Sequence, residues 1–178
     1  AHALSEVPAS RLREELKGLY SKKTTAALLE MGNHYQINQY WLPEEIAANC
    51  AAAIPVIKQI EDFFPTADNS KELEKMLVAA LIMPGIFQKF PLTDNVRLNL
   101  VQEFVEESLK PVNQRFNLPR FQRHAIKDIF SLLYRLGRGD KRVKKLVGRD
   151  HFFAAIFFYA AINNQTAAKP EHFSFWQR

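Results

Sequence analysis

Apolar residues recur every three or four positions along almost the whole chain, with no strict apolar–polar alternation and no Asn-Gly type hairpin turn between them. This pattern predicts an all-α fold, a multi-helix bundle of about eight or nine short-to-medium helices. Pro8 suits the start of ASRLREELKGLY, which sets Leu12, Leu16 and Leu19 on one face. Thr24 or Thr25 is expected to cap TAALLEM, with Gly32 ending it. A short piece with Tyr35, Ile37, Tyr40 and Trp41 leads to Pro43, which opens PEEIAANCAAAIPVIKQIEDFF, expected to kink at Pro55 and to close at Pro65.

Asn69 with Glu72 three residues on gives a capping-box signature for KELEKMLVAALIM, whose nearly continuous apolar residues mark a central helix, broken at Pro84 and Gly85. A helix from about Asn95 to Lys110 gathers Val101, Phe104, Val105 and Leu109. Pro119 then starts RFQRHAIKDIFSLLYRL, in which Phe121, Ala125, Ile129, Leu132, Leu133 and Leu136 face inward and leave Arg120, Arg123, Lys127 and Arg135 on the other side. Gly137 and Gly139 allow a reversal, and Asp140 is placed to cap a short helix, KRVKKLV. There Val143, Leu146 and Val147 are expected inward, with Lys141, Arg142, Lys144 and Lys145 outward. Gly148 ends that helix, and Asp150 caps HFFAAIFFYAAI, which is apolar nearly all round and so expected to be buried, Phe153 included.

Charge changes this picture because it is unevenly spread. The net charge of the 178 residues is only +5, yet residues 110–149 hold twelve Lys and Arg against Asp128 and Asp140 alone. The rest of the chain is acidic, so the expected molecule has an acidic body and one basic face, the footprint of a nucleic-acid or phosphate binder. The lone Cys50 excludes a disulfide framework or a Cys-based zinc site within one chain. No run approaches the roughly 20 apolar residues of a membrane span, and AHALSEVP lacks the features of a signal peptide. A reducing, cytoplasmic setting is expected, with no membrane partner.

Catalytic patterns are thin. His2, His34, His124, His151 and His172 show no metal-ligand spacing, and neither a Gly-x-Ser-x-Gly elbow nor a Gly-rich phosphate loop occurs. Glu106-Glu107 and Glu72-x-Glu74 read as solvated helix surface. Phe152, Phe153, Phe157, Phe158 and Tyr159 could stack on bases, but at helical spacing they read as core.

Three segments in order carry a resemblance. LPRFQRHAIKDIFSLLYRLGRGDKRVKKLVGRDHFFAAIFFYAAI resembles the C-terminal region of bacterial poly(A) polymerase through Pro119, Arg120, Asp128, Ile129, Leu132, Arg135, Leu136, Arg142, Leu146, Phe152, Ala154 and Ala155. EVPASRLREELKGLYSKKTTAALLEMG is similar to the stretch after the catalytic head of the class II nucleotidyltransferases, with Arg11 and Glu15 as an Arg-x-x-x-Glu motif. KMLVAALIMPGI resembles the family's FAALLWYP segment. Phe130 stands where the family has Trp, and Gly148-Arg149-Asp150-His151 replaces its usual turn.

The resemblance implies a single helical RNA-binding region over 1–178, neck-like over 1–42 and body- or tail-like over 43–178, without the catalytic head. No Gly-Ser pair and no Asp-x-Asp occurs in this sequence. The parent enzyme would be a polynucleotide adenylyltransferase using ATP and Mg2+. This chain by itself would carry no catalytic site and no cofactor, and its partners would be RNA and its own head. Arg11 and Glu15 would be structural. Arg120, Arg123, Lys127, Arg135, Arg138, Lys141, Arg142, Lys144, Lys145 and Arg149 would hold the RNA backbone, with little sequence preference. The alternatives are the corresponding part of a CCA-adding tRNA nucleotidyltransferase and a non-catalytic helical protein-interaction module.

Overall fold

The computed structural model describes residues 6–64, 70–92, 96–138 and 146–163, and within them eight α-helices and no strand, so the all-α expectation holds. They are α1 Ala9–Lys22, α2 Thr25–His34, α3 Asn38–Trp41, α4 Glu44–Phe63, α5 Ser70–Lys89, α6 Leu98–Phe116, α7 Arg120–Gly137 and α8 Phe152–Ile162. Pro8, Pro43 and Pro119 sit immediately before α1, α4 and α7, where a missing N–H costs nothing.

The centre is α5, as expected from its apolar run: every residue from Leu73 to Met83 is buried. Its most extensive partner is α4, and α1, α6 and α7 cover its other sides. The last helix, α8, packs on α7 and α4. Pro84 and Gly85 do not break α5, which runs on to Lys89. Pro84 forfeits one backbone bond within the helix, but Met83 and Ile86 on either side are buried, and that packing outweighs the local preference. The same holds at Pro111, which α6 passes through to end at Phe116 rather than Lys110.

Helix α2 also outruns its expected end at Gly32 and reaches His34. Its start is not capped by a threonine side chain. Instead the buried Glu61 of α4 accepts the N–H groups of Thr25 at 2.6 Å and of Ala26 at 3.3 Å, placing a carboxylate at the positive end of the helix. Asn69 of the expected capping box lies outside the described residues, as do Pro65, Asn95, His2, His172 and the aromatic C-terminal tail. No described helix is long and apolar enough to cross a membrane.

Three inward assignments are corrected. Phe121 is 58% exposed because it lies in the first turn of α7 at the margin of the apolar arc. Phe153 is 41% exposed, resting on Phe63 and Phe64 at the edge of the bundle, while its neighbours Phe152, Phe157 and Phe158 are buried. Val147 is 39% exposed in a turn, and only Leu146 next to it reaches the core. Asp150 does not cap α8. His151 takes that position with a left-handed backbone, φ 67°, and no side-chain capping bond.

Candidate nucleic-acid interface

The basic stripe rests on α7, the most strongly amphipathic of the described helices. Ala125, Ile126, Ile129, Phe130, Leu132, Leu133 and Leu136 are buried on its inner side. Tyr134, which the periodicity had not placed in the core, is fully buried and donates its hydroxyl to the Phe90 carbonyl. With its inner face fixed, α7 has little freedom to rotate, and its outer residues are held in place. At 100° per residue, Arg120, Lys127, Ser131 and Arg138 fall along one line, with His124 and Arg135 beside it. From Arg120 to Arg138 this line runs about 27 Å.

The cations on this face differ in what already occupies them. Lys127 donates to Glu106 of α6, and this ammonium holds the Glu106 carboxyl below its ordinary range. Arg120 reaches only the His124 ring, 3.3 Å away. Among the described residues Arg120, Arg123, Arg135, Arg138 and Arg149 form no ion pair. Asp128 is the one carboxylate within α7. The other half of the expected interface, Lys141, Arg142, Lys144 and Lys145 with the proposed capping residue Asp140 and the inward Val143, lies outside the described residues.

Leu146 is buried, and Arg149 stands exposed in the turn that follows it. That turn is fastened to the centre of the bundle. Lys75 of α5, itself buried, lies 2.5 Å from Glu72 and 2.8 Å from the Nδ1 of His151. Burial, helped by the Lys75 ammonium, pushes the His151 pKa below its ordinary value, so the neutral ring accepts a hydrogen bond from the lysine.

Arg11 and Glu15 are both exposed on α1. The residue that ties α1 to the bundle is Arg13, whose guanidinium makes a two-pronged contact with Glu74 of α5 at 2.9 and 3.3 Å. Gln122 of α7 donates to the same carboxylate at 2.5 Å. Glu74 is buried rather than on a solvated face, and its carboxylate joins three helices through one ion pair and one hydrogen bond. Tyr20 packs beside it, and burial pushes its phenol well above the ordinary range, with the Glu74 charge adding to the effect. Sequence reasoning overlooked this node; the signal it offered was a glutamate and a lysine inside the otherwise apolar run of α5.

Between α6 and α7 the surface is indented by a cleft of about 210 Å³, lined by Glu106, Lys110, Asn113 and Gln114 of α6 and by Arg123 and Lys127 of α7. A second, larger hollow of about 460 Å³ lies between α4, α5 and α6, with Leu81, Ile82 and Phe104 in its lining. No three His, Cys, Asp or Glu side chains converge on a metal-sized point among the described residues. In comparisons with protein families, with characterised proteins and with solved structures, nothing matches this chain.

Proposed function

We propose that this chain is the RNA-holding helical region of a template-independent nucleotidyltransferase of the poly(A) polymerase type, whose adenylyl transfer from ATP with Mg2+ would be performed by a head domain of the parent enzyme. The observation that carries the RNA-binding part is the outer side of α7. Arg120, Arg135 and Arg138 lie on a helix locked by its buried face, with no carboxylate paired to them among the described residues. Lys127 on the same helix is matched to Glu106, and elsewhere in the fold Arg13 and Lys75 are matched to an acid. A row of unmatched arginines costs the fold electrostatic repulsion and is resolved by an anionic ligand. Lys141, Arg142, Lys144 and Lys145 add charge to the same stretch of sequence. Contacts of this kind reach phosphates and carry no base information, so binding would be nearly independent of sequence. The poly(A) assignment rests on the resemblance of residues 118–162 and of the two segments before them.

Ultraviolet crosslinking of the pure chain to single-stranded RNA, followed by peptide mapping, tests this reading. Crosslinks within 120–149 are expected. Crosslinks confined to the acidic stretch 43–64, or absent at RNA concentrations that label a control RNA-binding domain, would favour the protein-interaction alternative.

A further inference from the structure

The cleft between α6 and α7 holds three cations, and they are not equivalent. Lys110 is tied to Glu107 on its own helix at 2.6 Å, and Lys127 to Glu106. The Arg123 side chain forms no hydrogen bond and no ion pair with any described residue, and its Nε is buried without an acceptor. A partly buried guanidinium whose Nε finds no acceptor is costly unless something anionic visits it. Asn113 and Gln114 stand beside it, their side-chain amides likewise making no hydrogen bond among the described residues. With Glu106 and Glu107 counted against Lys110, Arg123 and Lys127, the cleft carries one unmatched positive charge, which complements a singly charged phosphodiester.

We propose that this cleft is a built phosphate subsite for the backbone of single-stranded RNA, with Arg123 as its principal contact, Asn113 and Gln114 as neutral donors and Lys127 as a cation shared between Glu106 and the ligand. The inference rests on the RNA-binding reading above and sharpens it: α6 contributes to the interface, and one phosphate is held in a pocket rather than along an open ridge. The guanidinium fork suits a phosphate better than a lysine would, because two parallel N–H donors meet two oxygens. Glu106 is the opposing element. Its carboxylate faces the incoming phosphate and competes for Lys127, so its removal strengthens the site.

The experiment is fluorescence anisotropy of a labelled twelve-nucleotide RNA with the whole chain and four variants, with side-chain amide NMR of Asn113 and Gln114 during titration with RNA and, separately, inorganic phosphate. Arg123→Gln is expected to weaken RNA binding about tenfold, the loss of one charge-assisted contact. It is also expected to flatten the log K against log salt slope by about 0.7. Gln114 is exposed, so Gln114→Glu weakens binding without touching the core, even should Arg123→Gln disturb folding. Glu106→Gln tightens binding several-fold. Glu103→Gln, with the same charge change at an exposed position outside the cleft, does not. RNA binding by the unaltered chain that is indifferent to Arg123→Gln and Gln114→Glu overturns the subsite and leaves the RNA reading standing. Amide shifts with inorganic phosphate, but no RNA binding by any form, would make the cleft a small-anion site and overturn both.

Discussion

Gly32→Ala sets two effects of opposite sign against each other. Gly32 lies inside α2, and at an unstrained helical position replacing glycine by alanine stabilises by about 0.5–1 kcal/mol. At Gly32, however, an added Cβ would sit 1.9 Å from Oδ1 and 2.5 Å from Cγ of Asn38. That side chain is not free to swing away. It is buried, its Nδ2 donates to the Leu29 carbonyl at 2.9 Å and to Asn33 Oδ1 at 2.7 Å, and its Oδ1 accepts the Trp41 indole N–H at 3.0 Å. Displacing it breaks two or three buried bonds and leaves the Trp41 donor without an acceptor, at about 1 kcal/mol or more each. The clash therefore wins, with a net loss of about 2–3 kcal/mol, or roughly 5–10 °C in Tm for a chain of this size. Urea unfolding at constant m measures it. Gly18→Ala in α1, where nothing lies within 4 Å of the new methyl, is the control and should gain up to about 1 kcal/mol. In an Asn38→Ala background the Gly32→Ala loss should turn into a gain, because the obstacle is gone. A Gly32→Ala protein as stable as Gly18→Ala would refute the reasoning.

Glu61→Ala should cost about 2–3 kcal/mol by orphaning the first two N–H groups of α2, and Glu61→Gln, which keeps an acceptor, less; thermal melts compare them. His151 has a folded pKa below the ordinary 6.5, so the unfolded chain binds the extra proton first. Stability should be complete above pH 6.5 and fall as the pH drops from there through the lower folded value. His151→Asn, which tolerates the left-handed backbone, should remove that slope in chemical denaturation across pH 4.5–7.5. Ile129→Ala, at a position with no exposure, should lose about 2–5 kcal/mol, whereas Phe153→Ala at the bundle edge should lose no more than about 2; equal losses would place Phe153 in the core after all.

The helices were legible wherever their burial is one-sided and long. On α7 the expected inward positions Ala125, Ile129, Leu132, Leu133 and Leu136 are buried, but the buried arc is wider than the expected one and also takes in Ile126, Phe130 and Tyr134. Local punctuation misled where tertiary packing overrides it: Pro84 and Gly32 read as helix ends and are helix interiors, and α6 runs through Pro111 past the end expected at Lys110. Phe121 and Phe153 read as core because periodicity reports a face, not whether a neighbouring helix extends far enough to cover it. The arginine row of α7 was visible as charge, but a sequence does not tell a matched cation from an open one. Lys127 and Arg135 look alike in one dimension, yet Glu106, 21 positions before Lys127, occupies only the former. The partners of Glu74 were hidden for the same reason, Arg13 and Gln122 coming from distant segments.

The central claim is that the outer row of α7 holds RNA through phosphates. Fluorescence anisotropy of single-stranded RNA across a salt series, with the unaltered chain and with Arg120, Arg135, Arg138 and Arg149 changed together to Glu, tests it most directly. Arg120, Arg138 and Arg149 are exposed, Arg135 is partly exposed, and none belongs to the core, so the variant should melt with the same cooperativity. The account predicts a log K against log salt slope near −3 for about four contacts, similar affinities for oligo(A) and mixed sequences, and loss of most binding with a flattened slope in the variant. Equal affinities and slopes for the two proteins would contradict it and return the row to an ordinary solvated face.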